Sequence, residues 1–271
     1  MNDSLFRLKP LIAVGMLAVF WIWETVQPFM GQRDNGNRAG RWRHAARNLT
    51  VAAASAGVLA VAFGAATVGV VEWTERHRIG LLHAIDLGDT ATFLLGLGLL
   101  DAWLYVWHRA NHNVPFLWRF HRMHHSDDQM DVTTATRFHL GELVLSASLR
   151  LLLIPLLGLS VWQLVVYDML QLAGSQFQHA DISLGRCDRW LRWLIVTPDM
   201  HKLHHSRVSS ELNSNYAVVL SVWDRLARTF RLRSDARAIV FGLEDFEEPK
   251  WQTIGGMLRT PLAKSDRRPE I

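Results

Sequence analysis

The chain has 271 residues, of which 49% are hydrophobic, and it carries 29 Lys and Arg residues against 25 Asp and Glu residues. Its single cysteine, Cys187, excludes an internal disulfide framework, a cysteine-rich zinc site and a cysteine-ligated iron–sulfur cluster. Any bound metal would therefore use histidine or carboxylate ligands. The net charge of +4 does not indicate a nucleic-acid partner, because the basic residues flank apolar segments and no nucleic-acid-binding module is recognisable.

The apolar residues are gathered into segments long enough for membrane helices, with arginine-rich stretches between them. In the N-terminal region, residues 1–107, we predict membrane helices over Leu11–Trp23, Leu49–Val71 and Thr90–Trp107. The polar stretch Gly31–Asn48 carries five arginines and one acid, so the positive-inside rule predicts a cytoplasmic loop there. The sequence thus predicts an all-α, integral membrane helical bundle.

A second apolar region, residues 143–177, is interrupted by Pro155 and Gly158, which disfavour one continuous helix. We predict a helical hairpin that enters and leaves the membrane on the same side. A single crossing would place the histidine motifs before and after it on opposite faces. Residues 231–271 are predicted to form a charged cytoplasmic tail that frays from about Leu262.

The histidines are concentrated in one part of the chain, since ten of the thirteen lie between His108 and His205. Eight of the ten form one HxxxH and two HxxHH motifs. Positions i, i+3 and i+4 share one face of an α-helix, so each motif presents its imidazoles toward a common point. Clustered neutral imidazoles are natural ligands for a divalent transition metal. The eight candidate ligands are His108, His112, His121, His124, His125, His201, His204 and His205.

The other histidines are harder to interpret. For His139 and His179, spacing alone leaves open a ligand role or a structural role. His44, His77 and His83 are unclustered and are taken as non-ligands.

The order of HxxxH, HxxHH, apolar hairpin and HxxHH resembles the fatty acid hydroxylase superfamily of membrane di-iron enzymes, which includes sterol desaturases. The resemblance covers about half the chain, from Asp101 to Phe230, and implies a catalytic region over residues 108–230. In such enzymes the isolated histidines of the RxHxxE and FQH elements also bind metal, which adds His139 and His179 to the expected ligands. The matching segments are Asp101–His112, Leu117–Ser126, Arg137–Glu142, Phe177–His179 and Thr197–Ser206.

The resemblance implies two iron ions in a cytoplasm-facing, histidine-rich helical cap, where O₂ would hydroxylate or desaturate a lipid such as a sterol, hopanoid or fatty acyl lipid. Zinc fits less well, because it usually takes four ligands and cannot change oxidation state. Asp101, Glu142 and Asp199 are expected to orient the imidazoles. The chain shows no glycine-rich flavin or nicotinamide motif, so a separate ferredoxin-, cytochrome- or reductase-type donor is expected. The expected location is the bacterial inner membrane.

Two other functions are considered. A membrane cytochrome would use one or two axial histidines per b-type haem and has no need of HxxHH. A metal transporter would place ligands along a path across the bilayer, whereas these histidines are predicted to gather on one side. In the hairpin, Arg150 and Asp168 would contact substrate, pair with each other or extend their charged ends to the membrane surface. Departures from the family pattern at Ala217 and over residues 223–229 leave the ligand set unchanged.

Overall fold

The computed structural model describes residues 2–30 and 38–264, with side chains from Pro10 in the first helix and from Ala39 in the second. Over these residues the backbone forms helices and turns, with two isolated β-bridges and no longer strand pairing. This confirms the predicted all-α class. The α-helices are α1 (Asn2–Val26), α2 (Arg38–His77), α3 (Leu81–Ala84), α4 (Asp89–Asn113), α5 (Pro115–His125), α6 (Leu140–Leu157), α7 (Val161–His179), α8 (Asp188–Leu191), α9 (Pro198–His204), α10 (Ser209–Leu212), α11 (Val222–Leu226) and α12 (Ile254–Arg259).

Three stretches of the described chain are long and apolar enough to cross a membrane: Ala39–Ala84, Asp89–Asn113 and Leu140–Leu157. At most 28% of the most apolar 18-residue window in each stretch is buried, as expected of helices that face lipid. The side chains of α1 are described over its apolar segment Pro10–Val26. Helix α1 packs along α7, where Phe20 is buried.

Helix α2 is longer than a bilayer is thick. Its 40 residues extend for about 60 Å, roughly twice the hydrocarbon thickness. The predicted loop Gly31–Asn48 is wrong for residues 38–48, which form the first turns of this helix. Alanine and arginine, both strong helix formers, are frequent there. Residues 31–37 lie outside the described part of the chain. The early turns bury Ala45, and Val51 packs against Met123 of α5.

The hairpin of α6 and α7 breaks where Pro155 and Gly158 predict it. Gly158 adopts a left-handed conformation, with φ of 77°, and ends α6. Ser160 then begins α7 through a capping box with Gln163, in which each side chain accepts a backbone N–H of the other residue. The two helices pack with α2, α3 and α4 around a core that includes Leu100 and Ile154.

The segment predicted to be a charged tail is folded as far as the described chain extends. Phe241 is buried with Leu203 of α9, and Met257 with Met123 of α5. The carbonyl of Thr260 accepts a hydrogen bond of 3.0 Å from Arg122 Nε. Residues 239–263 therefore form one side of the cap around the histidine helices. The fraying predicted from about Leu262 falls mostly on residues 265–271, outside the described chain.

Candidate metal centre

Nine of the ten predicted ligands lie in two neighbouring groups, and all nine are buried. In each group, one ligand nitrogen from every histidine lies within 4.8 Å of the others. Helices α4, α5, α7 and α9 supply eight of these side chains, and His205 directly follows α9 as its C-cap residue. The first group is His108, His112, His121, His125 and His204, and the second is His124, His179, His201 and His205.

Each HxxHH motif serves both groups, so the prediction that a motif presents all its imidazoles toward a common point is wrong for these two motifs. The adjacent pair His124 and His125 separates, one to each group, and so does the pair His204 and His205. Neighbouring residues on an α-helix point about 100° apart, so an adjacent pair cannot converge on one ion but can bridge two nearby ones. The rings of His125 and His205 stack across the boundary, with centroids 4.4 Å apart. The motif spacing therefore places two sites side by side.

Hydrogen bonds at Nδ1 fix the orientation of several rings. The Nδ1 atom of His108 contacts the Tyr216 carbonyl at 2.7 Å, and that of His204 contacts the Ser214 carbonyl at 2.6 Å. His179 Nδ1 contacts the carbonyl of Ser175 at 2.7 Å. A carbonyl oxygen only accepts, so each Nδ1 carries the proton and each Nε2 of the neutral ring carries a lone pair.

Several of these lone pairs face one another. Whether the residues fit a metal ion can be judged from the distances between the nitrogens that carry them. The Nε2 atoms of His108 and His204 are 3.1 Å apart. Both neutral rings carry their proton on Nδ1, so these two Nε2 atoms cannot hydrogen-bond to each other. His179 Nε2 lies 3.0 Å from His201 Nε2 and 3.1 Å from His124 Nε2. Two nitrogens bound at right angles about 2.1 Å from one ion would lie about 3 Å apart.

Further imidazole nitrogens in the groups are buried without a hydrogen-bond partner, including both nitrogens of His112, His125 and His205. An unsatisfied buried polar atom costs roughly 1–3 kcal/mol, so nine packed rings with several such atoms are unfavourable alone. A cation in each group would satisfy them. The donor set therefore fits two metal ions.

The same environment keeps the rings neutral. Burial, followed by the neighbouring imidazoles, lowers the pKa values of His201 and His205 well below their ordinary value of 6.5. Burial also lowers the pKa of His204 to about 3, against the opposing effect of its hydrogen bond to Ser214. Neutral imidazoles are the form that binds metal.

These depressed pKa values predict a pH dependence for the metal-free protein. Each such histidine takes up a proton near pH 6.5 in the unfolded chain but not in the folded one, so lowering the pH below 6.5 favours unfolding. The free energy of unfolding should fall by up to about 1.4 kcal/mol per pH unit for each histidine. Denaturant titrations of the metal-free protein in detergent between pH 5 and pH 8 measure this. The dependence of the unfolding free energy on pH should be weaker in His204→Ala. An unfolding free energy that does not change with pH in the unmutated chain would rule out a cluster of neutral histidines.

Glu142 is the one proposed orienting acid that contacts a ligand. Its Oε1 atom lies 3.0 Å from Nδ1 of His121, and both side chains are buried. The contact holds the proton on Nδ1 and directs Nε2 of His121 toward the first group. The sequence hypothesis for Glu142 thus matches its position.

Removing this acid should weaken metal binding without abolishing it. We expect Glu142→Ala to lower the affinity for a divalent metal ion by about 10- to 100-fold, the range for residues that support a metal ligand, and Glu142→Gln to lower it less because an acceptor is retained. Chelator competition monitored by metal analysis gives the affinities, with exposed Glu75→Ala as the control. Equal affinity in Glu142→Ala and the control would remove Glu142 from the site.

His139 is the predicted ligand that the structure does not bring to either group. Its Nδ1 accepts the backbone N–H of Gly141 at 2.9 Å, capping α6, and its Nε2 donates to the Leu258 carbonyl at 3.2 Å. Both ring nitrogens are therefore engaged locally. The RxHxxE element instead contributes Glu142 and the fully buried Arg137, which donates to the Met123 carbonyl at the end of α5.

The other two proposed orienting acids do not hydrogen-bond to a ligand in the described chain. Asp101 accepts from Tyr167 Oη at 2.8 Å, from Trp223 Nε1 at 2.7 Å and from the backbone N–H of Leu220. It lies two helical turns from His108, too far to reach that ring, and it joins α4 to α7 and the cap. Asp199 has a buried Oδ1 without a hydrogen-bond partner.

Asp224 has a supporting role that spacing did not reveal. It is buried and accepts the backbone N–H groups of Tyr216 and Ala217 at 2.8 and 3.1 Å. This fixes the turn containing Asn215, whose φ is 52°, and so fixes the carbonyls of residues 214 and 216 that hold His204 and His108. Burial raises the pKa of Asp224 to about 6. The signal available in the sequence was the pair of family elements at 215–217 and 223–229.

A buried charged network beside the second group was also missed. His44, on α2, places Nε2 2.8 Å from Asp127 Oδ1 and Nδ1 3.2 Å from Asp131 Oδ2. Asn48 donates to Thr133 Oγ1 at 3.1 Å in the same network. The positive charges of His44 and Arg137 outweigh the burial of Asp127 and lower the pKa of that carboxyl. His44 thus lies outside both histidine groups and secures the loop that follows His125.

Arg150 and Asp168 of the hairpin form the ion pair that was one of the alternatives for these residues. Arg150 Nη2 lies 2.6 Å from Asp168 Oδ1, and both side chains are partly exposed. Charge is costly within an apolar hairpin, and an ion pair reduces this cost.

Comparison with known proteins places these features in a family. The fatty acid hydroxylase profile matches residues 93–229, about half the chain. Ornithine lipid hydroxylase OlsE of Rhizobium tropici is 33% identical over 51% of this chain and 41% of its own length. Alkylglycerol monooxygenase of Danio rerio is 31% identical over 59% of this chain and 35% of its own. Cholesterol 25-hydroxylase of Rattus norvegicus is 23% identical over 65% of this chain and 59% of its own.

These alignments cover less than two thirds of each relative. No solved structure matches the chain significantly. The family profile covers α4, α5, the hairpin and α9, and therefore includes all nine clustered histidines. The chain is a member of the fatty acid hydroxylase family.

Proposed function

We propose that this protein is a membrane-bound, non-haem di-iron oxygenase that hydroxylates a C–H bond of a lipid. The observation that carries the proposal is the convergence of nine buried imidazoles into two adjacent groups, with lone pairs facing each other at about 3 Å. The names of three relatives, an ornithine lipid hydroxylase, an alkylglycerol monooxygenase and a cholesterol 25-hydroxylase, support oxygen chemistry on a lipid.

The chain's own residues would hold two iron ions, one in each histidine group. Iron in such a site activates O₂ and supplies the oxidant for an unactivated C–H bond. Tyr216 and Ser214 hold the rings of His108 and His204 through backbone carbonyls, and Glu142 holds His121. Burial of the groups excludes bulk water and so limits side reactions at the site.

Hydroxylation requires components beyond this chain. One oxygen atom of O₂ enters the C–H bond and the other leaves as water, after two electrons and two protons are supplied. We propose a separate ferredoxin-, cytochrome- or reductase-type donor, and a basic cap would favour an acidic partner. The arginine-rich stretch before residue 48 favours a cytoplasmic cap, in a bacterial inner membrane.

Lipid analysis tests the activity and identifies its substrate. Untargeted lipidomics should compare cells that produce the protein, cells that produce His124→Ala and cells with neither. We expect a lipid whose mass rises by one oxygen atom with the unmutated protein alone. Loss of two hydrogens would indicate desaturation by the same site, and unchanged lipids despite an iron-loaded protein and a working donor would contradict both.

Two other functions give different results with the purified protein. A membrane cytochrome would show the Soret absorption band of haem. A metal transporter would move iron into sealed vesicles and would consume no O₂ with any lipid. The burial of the ligand nitrogens in two compact groups favours a resident metal centre over a transport path.

A further inference from the structure

One surface of the cap combines exposed apolar side chains with arginine. Trp190 and Trp193 are each 68% exposed, and Leu194 is 65% exposed. Leu226 is 71% exposed, and Val222 lies one helical turn away from it on α11. Several large apolar side chains exposed next to one another indicate an interaction surface. We call residues 186–194 and 221–228 the tryptophan–arginine patch.

The two segments of the patch form one surface. The backbone N–H of Ser221 donates to the Leu194 carbonyl at 3.2 Å, and the Ser221 hydroxyl donates to the Arg192 carbonyl at 2.7 Å. Arg225 donates to the same Arg192 carbonyl, and its guanidinium lies 4.6 Å from the ring centre of Trp193. The apolar side chains of both segments are therefore adjacent.

The charge that this surface exposes is positive. Arg186, Arg189 and Arg228 are exposed, and the guanidinium of Arg189 lies over the Trp190 ring. The two acids within the segments, Asp188 and Asp224, are 1% and 0% exposed. An aromatic surface with arginines at its rim suits a membrane interface, where rings enter the headgroup layer and guanidinium groups bind lipid phosphates.

The position of the patch along α4 points to the same partner. Asp101 accepts the backbone N–H of Leu220 and the indole N–H of Trp223, so the second segment is attached at the level of Asp101. That level is seven residues before His108, about 10 Å from it along α4, and it lies within the candidate membrane span Asp89–Asn113. Val219 also packs against the apolar core of the membrane helices.

We propose that the tryptophan–arginine patch inserts into the headgroup layer of the bilayer and binds anionic phospholipids there. The aromatic rings provide insertion into any bilayer, and the arginines provide the preference for negative charge. This contact would hold the cap against the membrane. It is independent of whether the centre holds iron or oxidises a lipid.

The single cysteine supplies a probe for this contact, because Cys187 is exposed beside Arg186. The full chain, labelled at Cys187 with an environment-sensitive fluorophore, is placed in nanodiscs of phosphatidylglycerol or phosphatidylcholine that contain a headgroup-attached nitroxide quencher. We expect strong quenching and a blue-shifted emission, greater in phosphatidylglycerol and reduced by salt. The control is the same label in Cys187→Ser/Ser234→Cys, at an exposed position outside the patch.

Variants separate the two contributions. Arg186→Gln/Arg189→Gln should lose the preference for phosphatidylglycerol and retain quenching, whereas Arg76→Gln, remote in sequence and exposed, should change neither. Trp190→Ser/Trp193→Ser should lose most of the quenching in both lipids, with helicity unchanged by circular dichroism. Quenching at Cys187 no greater than at the control position would overturn the proposal. Equal quenching in both lipids at every salt concentration would also overturn it.

Discussion

Substituting His204 with alanine is expected to remove iron from the first histidine group and to lower the rate of lipid oxidation by at least about 100-fold. Losing a residue that only supports a ligand costs up to about 100-fold, so losing a ligand should cost at least as much. His204 is buried, its Nδ1 is held by the Ser214 carbonyl, and its Nε2 lies 3.1 Å from that of His108. Alanine leaves no donor atom at that point. Metal analysis of purified protein and turnover with a competent donor measure the two effects.

His139→Ala is the matched control for this prediction. Both ring nitrogens of His139 are engaged by backbone groups, and the ring lies outside both histidine groups. The variant should lose some stability at the start of α6 yet keep both irons. If His139→Ala lost iron as completely as His204→Ala, the ligand set would need His139, as the family resemblance alone implies. Full activity in His204→Ala would contradict the centre itself.

His44→Ala is expected to destabilise the protein by about 3–5 kcal/mol, the usual cost of removing one partner from a buried ion pair. Its loss leaves Asp127, which is fully buried, without the contact of 2.8 Å that His44 Nε2 provides. Asp127 lies two residues after His125, so iron affinity should fall as well. Denaturant unfolding in detergent, carried out on the metal-free protein, measures the stability change apart from the metal.

The exposed His77 at the other end of α2 provides the comparison. His77→Ala should change the free energy of unfolding by less than about 0.5 kcal/mol, as surface substitutions usually do. If His44→Ala were equally mild, Asp127 would have to be satisfied by other groups. His44→Gln, which keeps a hydrogen-bond donor but no charge, should fall between the two.

The sequence was sufficient to predict features encoded locally. The spacing of His121, His124 and His125 predicted that these side chains lie close together, because positions i, i+3 and i+4 are neighbours in any α-helix. It did not predict that His124 and His125 belong to different groups. Pro155 and Gly158 located the break in the hairpin for a similar reason. The membrane-helix composition of residues 49–71 is also a local property.

Features that depend on distant segments could not be predicted in this way. The role of Asp224 depends on the turn at Asn215, and the role of His44 depends on Asp127, 83 residues later. Proximity in sequence also led to a wrong expectation for Asp101. Asp101 is close enough along α4 to suggest support for His108, but two helical turns place it beside Tyr167 and Trp223 instead. The early turns of α2 were predicted as a loop because they are polar, and the burial of His44 and Asn48 against Asp127 and Thr133 depends on a distant segment.

Iron analysis of the purified protein, combined with Mössbauer spectroscopy after growth on ⁵⁷Fe, tests the central claim most directly. The two adjacent histidine groups predict close to two irons per chain, non-haem in character and magnetically coupled in the oxidised state. His204→Ala and His201→Ala, one from each group, should each disrupt the coupled signal. Zinc at full occupancy in an active protein, a single uncoupled iron, or iron held in haem would contradict the di-iron assignment.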